Sequence, residues 1–338
     1  MEFGGIAEAA MALWMRGSVS FVALRELISY IEQHPEGVWA KEMEVWAREK
    51  ARLRIQSGKL VSKTTVYHYR NTLRHLGILV VTGRRYRIAK EQPLVAELLE
   101  AIRPGAPDLS LEERELFARF VVQDRDCQKQ FFDLFMPPGT KCYDLEAFLE
   151  NGRPVVWRRE DEGIEMLHSV EHPEQRLLLD SEDKRQAILY GVRYWARNQL
   201  RFLDEIFLEG MGGLMFPVYL SGPVPDSRIL RVLRDSISSQ DEWTFFSVRK
   251  VAATWGPQYR IPLDRLYGTL KWVYRRFPQY VVLIPTSESF ATIMARSPQA
   301  EKYHLRGYFQ DERGRYISHM RVHQKLKEVM VWPEILPV

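Results

Sequence analysis

Cysteine, long apolar runs and, over one stretch, acidic residues are scarce in this chain. Two cysteines, Cys127 and Cys142, are too few for a disulfide framework, and their spacing fits no zinc-ligand pair. Both are expected as reduced thiols in a cytoplasmic protein. No apolar run approaches the ~20 residues a membrane helix needs, so no membrane contact is expected. Residues 1–17 are apolar in patches but carry Glu2 and Glu8 and no basic leader, unlike a signal peptide. There is no Walker loop, dinucleotide fingerprint or nucleophile elbow, so neither a cofactor nor a catalytic residue is expected. Low-complexity sequence is also missing.

What is present describes an ordinary folded protein. At 338 residues the chain exceeds what one hydrophobic core usually organises, which implies two or three domains. A hydrophobic fraction of 46% and a charged fraction of 27% argue against disorder. The net charge is only +4, but its distribution is uneven. From Lys59 to Lys90 there are eight basic residues and no acid, so the remainder of the chain is slightly acidic.

Periodicity and punctuation predict an α+β, helix-rich chain in three modules: residues 1–103, 108–215 and 222–338. In the first, helices are expected over residues 18–33, 38–55 and 62–76, then a hairpin from 78–82 and 86–89 around Gly83-Arg84-Arg85, and a linker helix over 93–102. The second opens on a Ser110-Leu-Glu-Glu113 capping box and a helix toward Phe135. A short helix near Leu145, strands at 155–159, 164–169 and 176–179, and a long helix over 183–209 follow. The third repeats the first in outline: helices at 227–237, 245–254 and 262–276, a Gly256-Pro257 turn, a strand at 280–285 and a hairpin from 303–309 and 316–319.

The richest constellation is the third helix with its hairpin. At ~100° per residue, Val66, Tyr69, Leu73 and Leu76 share one face, while Lys63, Tyr67, Arg70 and Arg74 cluster about 110° away. The first set is built to pack and the second to project. Residues 18–90 resemble the winged helix-turn-helix superfamily of DNA-binding domains. The resemblance implies a recognition helix in the major groove of duplex DNA, carrying Lys63, Thr64, Tyr67, His68, Arg70, Asn71 and Arg74. It also implies a wing whose Arg84, Arg85 and Arg87 meet phosphates or the minor groove. A cationic run is often only a solvated face, and winged helices also dock proteins.

Between Thr244 and Tyr280 seven basic residues face one acid, Asp264. Leu263, Leu266, Leu270 and Val273 keep the spacing of the earlier core positions, which suggests a second winged-helix-like domain with Arg265, Lys271 and Arg275 as DNA contacts. Trp243, Trp255, Trp272 and Tyr274 offer rings for stacking on bases, although aromatics at helical spacing more often pack. Arg193, Arg197 and Arg201 are spaced by four along the long middle helix and read as a solvated, salt-bridged stripe.

Three patterns point elsewhere. His168-Ser-Val-Glu171-His172 matches an inverted zinc-protease motif, but Pro173 and a strand-like approach make it a chance match, and no metal site is expected. Asp180, Glu182 and Lys184 stand as in magnesium nucleases, and equally as the start of a helix. His319 and His323 lie four apart without further ligands. The expectation is therefore a non-catalytic reader of duplex DNA: a transcription regulator, a replication-initiator-like protein, or the DNA-reading subunit of a mobile-element or defence complex. A second copy or another protein would be its protein partner. A magnesium nuclease and a protein-interaction scaffold are the alternatives.

Overall fold

The computed structural model describes residues 18–51, 53, 59–159, 165–208, 212–287 and 308–330. Expectations at residues 1–17, 54–58, 160–164, 209–211 and 303–307 lie outside them. The architecture is mixed α+β with helix predominating. The chain divides into two compact units, one of Met1–Gly152 with Arg159–Leu203, the other of Arg153–Arg158 with Asp204–Val338.

In the first unit α1 (Phe21–Glu32) begins where the Ser20 hydroxyl caps Ala23 N–H. Its apolar face, Phe21, Leu24, Leu27, Ile28 and Ile31, is buried. Residues Val38–Trp39 form a short strand, β1, where sequence periodicity predicts helix. Their backbone pairs antiparallel with Tyr86 and Arg85, a partner no local pattern reveals. Then come α2 (Ala40–Val45), a wider helical turn at Trp46–Lys50, and α3 (Lys63–His75), capped by Ser62 on Thr65 N–H at 3.1 Å. Strands β2 (Leu79–Thr82) and β3 (Arg85–Ile88) complete a three-stranded antiparallel sheet in the order β1-β3-β2. Gly83, at φ 65°, opens their two-residue loop, where a hairpin turn of this length favours glycine.

The same unit continues with α4 (Pro93–Ala101), α5 (Leu111–Gln123), α6 (Arg125–Gln130), a single turn at Phe132–Phe135 and α7 (Leu145–Asn151). The capping box at Ser110 and Glu113 forms as expected. The helix it starts stops at Asp124, whose carboxylate caps α6. Strand β4 (Val155–Arg159) follows in the chain but belongs, but for its last residue, to the second unit; back in the first, β5 (Glu165–Ser169) and β6 (Arg176–Leu179) pair antiparallel. The predicted long helix over 183–209 is shorter. It runs as α8 (Glu182–Ala187) through wider turns at Ile188–Val192 and Trp195–Gln199. Arg201 then takes a left-handed φ of 62°, incompatible with helix, and the next residues extend. The core is aromatic: Phe21 meets Phe117 and Trp195 edge-on, and Phe131, Phe132, Phe135, Phe148 and Phe202 form a second cluster.

In the second unit β7 (Leu203–Leu208), β8 (Gly212–Pro217) and β4 adjoin in the order β4-β8-β7. They are followed by α9 (Ser227–Ser236), β9 (Trp243–Ser247), α10 (Val248–Tyr259), α11 (Leu263–Arg276), β10 (Val281–Pro285), β11 (Phe309–Gln310), β12 (Tyr316–His323) and α12 (Leu326–Val329). Gly256 and Pro257 sit inside α10 rather than in a turn, because the helix ends only at Arg260, which is left-handed. Both β9 and β10 pair antiparallel with β12.

Helix, strand, helix, helix, strand, strand is thus the order in α1–β3, and β1 and β2 both pair with β3. The segment α9–β12 repeats that order and those pairings, with β11 as an added short strand. The buried faces repeat as well: Val66, Tyr69, Thr72, Leu73 and Leu76 in one helix region, Leu263, Leu266, Thr269, Leu270 and Val273 in the other.

Candidate nucleic-acid interface

Helix α3 is held by its apolar face, and that fixes which side chains face outward. With Val66, Tyr69, Thr72 and Leu73 buried, Lys63, Thr64, Tyr67 and Arg74 are exposed, and His68, Arg70 and Asn71 half-buried. Burial pushes the Tyr69 hydroxyl up to about 12, so it stays neutral. A concavity of about 520 Å³ runs along this helix, lined by Lys63, Thr64, Tyr67 and Arg70 on one side and Ala40, Lys41 and Glu44 on the other. Lys41 and Glu44 come from α2, which the charge pattern of residues 59–90 does not include.

The cations here differ in their commitments. Lys63 Nζ lies 3.5 Å from Glu44, whose carboxylate also holds Arg48 at 3.1 Å. Lys90 pairs with Glu32 at 3.1 Å. The acid-free stretch of sequence is therefore partly neutralised in space by acids from α1 and α2. Exposed pairs of this kind contribute little and exchange readily for phosphate. Arg70 bridges helix and hairpin: its guanidinium carbon lies 5.2 Å from the Tyr67 ring centre and 5.0 Å from that of Tyr86. His68 sits edge-on to Tyr67 at 5.7 Å.

On the hairpin, Arg84 is exposed at the tip. Arg85 donates to the Gly37 carbonyl at 2.9 Å and lies over Trp39, and Arg87 donates twice to the Glu36 carbonyl. Neutral carbonyls fix these guanidinium groups without cancelling their charge. Such proximity depends on Gly37, at φ 85°: an added Cβ would stand 2.8 Å from Arg87 Cγ and 3.0 Å from the Tyr86 carbonyl.

In the second unit the three named cations separate. Arg265, expected as a DNA contact, is instead buried, 3.8 Å from Asp226 and donating to the Tyr219 carbonyl at 3.1 Å. Burial lowers its pKa, with Asp226 opposing. Its role is to anchor the 219–226 loop on α11. Lys271 lies over the Phe309 ring at 5.6 Å, and Arg275 makes an exposed 2.9 Å ion pair with Glu312. Asp264 and Gly268 stand on the same helix beside Lys271, around a concavity of about 410 Å³. The outward face of α11 is thus less cationic than that of α3.

The other expectations resolve in place. Arg193 is buried and Arg197 half-buried, so the middle arginines do not form one solvated stripe. His168 lies within β5 and His172 in the following turn, not on the helix a protease motif requires. Lys184 pairs with Asp180 at 3.1 Å, Glu182 with Arg185 at 3.1 Å, and Ser181 caps α8. No group of three or more His, Cys, Asp or Glu side chains is placed to hold a metal ion among the described residues. No helix among them is long and apolar enough to cross a membrane. Cys127 and Cys142 are both buried thiols, and burial raises the pKa of each.

Comparison of the chain with protein-family models, with curated proteins and with solved structures gave no match.

Proposed function

We propose that the chain is a non-catalytic DNA-binding protein of the cytoplasm that reads duplex DNA through a winged helix formed by α1–β3. The observation that carries the reading is the outward row Lys63, Thr64, Tyr67 and Arg74 on a helix held rigidly from behind, with Arg84 at the tip of the adjoining hairpin. A helix of this kind fits the major groove, where arginine and lysine donate to guanine and Asn71 offers an adenine contact. Arg84 neutralises phosphate beside the groove, and the half-committed Arg85 and Arg87 add positive potential. Arg70 acts by holding Tyr67 and the hairpin in register.

The repeated order in α9–β12 supports a duplicated architecture, as in regulators, replication initiators and the DNA-reading subunits of mobile-element or defence complexes. With Arg265 interior, duplex contact by the second copy is left to Lys271 and Arg275, beside the exposed Arg276. The experiment is fluorescence anisotropy with duplex DNA of random sequence across a salt series, comparing the native chain with Arg74→Ala/Arg84→Ala. Loss of affinity and a salt slope flatter by about one unit per lost phosphate contact supports the reading. Failure to bind duplex DNA at low salt overturns it and leaves the winged helix as a protein-docking module.

A further inference from the structure

The register of the second unit's sheet sets out a grid of side chains on its open face. Strand β12 is central, so residues opposite one another on β9, β12 and β10 form rows. One row is Trp243, His323 and Tyr280: Trp243 is paired with His323, whose N–H donates to the Tyr280 carbonyl. The next is Phe245, Arg321 and Val282, and the third Ser247, His319 and Ile284. Alternation sends Phe246, Met320, Val322 and Val281 inward to the core, which leaves these nine to the other face, although Tyr280, just before β10, also packs against the core.

Two features of the grid are unusual for a solvated sheet face. Phe245 is 62% exposed and Val282 42%, side by side across Arg321. The Arg321 guanidinium carbon lies 4.5 Å from the Trp243 ring centre and 5.3 Å from that of Phe245. Among the described residues it has no carboxylate partner. Rings also flank His323, with Trp243 at 4.8 Å and Tyr280 at 6.0 Å. None of the nine positions carries an acid. Glu242 at the edge faces His323 Nε2 at 3.3 Å, and His323 Nδ1 accepts from the Lys325 N–H, so this imidazole is already committed.

We infer that this face binds single-stranded nucleic acid, with bases stacked on Phe245 and the neighbouring rings and the backbone drawn to Arg321 beside the exposed His319. An exposed ring beside a guanidinium on a sheet face, with further rings half-exposed next to it, gives bases a π surface and phosphates a counter-charge. The absence of carboxylates from the grid favours a polyanion over a basic or neutral partner. A duplex buries its base faces and gains nothing from the rings. The site is therefore separate from the duplex-reading surface of α3, and its test does not depend on that surface.

The test uses the full chain and fluorescence anisotropy with short oligothymidylate, oligouridylate and an abasic strand of equal length and charge. The expected result is that thymidylate or uridylate binds about tenfold or more tighter than the abasic strand, since each stacked base strengthens binding substantially. Phe245→Ala and Arg321→Ala should remove that preference, Phe245→Tyr should keep it, and duplex affinity should stay at the native value in all three. Thermal unfolding at the native temperature confirms that the variants are folded. Equal affinity for based and abasic strands, or an unchanged preference in Phe245→Ala, overturns the inference. So does self-association that Phe245→Ala abolishes while no base preference exists. Arg74→Ala/Arg84→Ala separates the two sites, because it should weaken duplex binding and leave the base preference intact.

Discussion

Arg25 and Glu113 lie 3.6 Å apart with neither side chain reached by solvent, although they belong to helices far apart in the chain. Arg25 also donates to the carbonyls of Asp108 and Ala106 and to Glu26, while Glu113 accepts from the N–H groups of Arg103 and Ser110. The first helix of the proposed winged helix is tied in this way to the linker and to the start of α5. Removing one partner strands a buried charge, so Arg25→Ala should cost about 3–5 kcal/mol in urea unfolding. Arg25→Met/Glu113→Gln should recover part of that loss, because the charge is gone and the amide oxygen can still accept from the N–H groups of Arg103 or Ser110. A single variant as stable as the native chain would show the pair to be immaterial.

Alkaline stability should report on Tyr69. Its folded pKa is raised by burial to about 12 from the ordinary tyrosine value of 10.0. The raised value favours the neutral hydroxyl in the folded state. Its contribution is complete below pH 10 and is lost as pH rises through about 12. The size is roughly 2–3 kcal/mol, at about 1.4 kcal/mol per unit. Tyr69→Phe should flatten this limb of the stability profile, and an unchanged limb would assign the loss to other groups.

Gly37 should tolerate no side chain. Alanine there meets both a left-handed backbone angle and the crowding of Arg87 and Tyr86. Gly37→Ala is expected to lose about 1–3 kcal/mol. It should also weaken duplex binding by displacing the hairpin, which anisotropy and thermal melting on the same sample would separate from simple unfolding.

The hairpin arginines should divide by role. Arg84→Ala is expected to reduce the salt slope of duplex binding by about one unit without changing thermal stability, because the side chain is exposed at the tip. Arg85→Ala should lower stability as well, since it gives up the Gly37 carbonyl and the Trp39 ring. Identical behaviour of the two variants would contradict that division.

The helices and strands that announce themselves by local chemistry were legible in the sequence. Ser62 and Ser110 cap where expected, and the strands at 155–159 and 176–179 fall on their predicted residues. What escaped depended on distant partners. Val38 and Trp39 extend because Tyr86 and Arg85 pair with them, and Trp243–Ser247 is a strand because β12 is its neighbour. Leu203 and Ile206 have helical spacing, yet Arg201 breaks the helix before them. At the candidate interface, periodicity separated inward from outward residues on α3. It had no access to Glu44 beside Lys63, to the carbonyls that hold Arg85 and Arg87, or to Asp226, which draws Arg265 inside.

The most direct measurement of the central proposal is the salt dependence of duplex binding by the native chain and by Arg74→Ala/Arg84→Ala, with magnesium added in parallel. The account predicts a steep slope, a flatter one in the variant, and intact DNA in both. No affinity at low salt, or a slope identical in the two proteins, would contradict the groove-and-wing surface, and cleavage with magnesium would contradict its non-catalytic character.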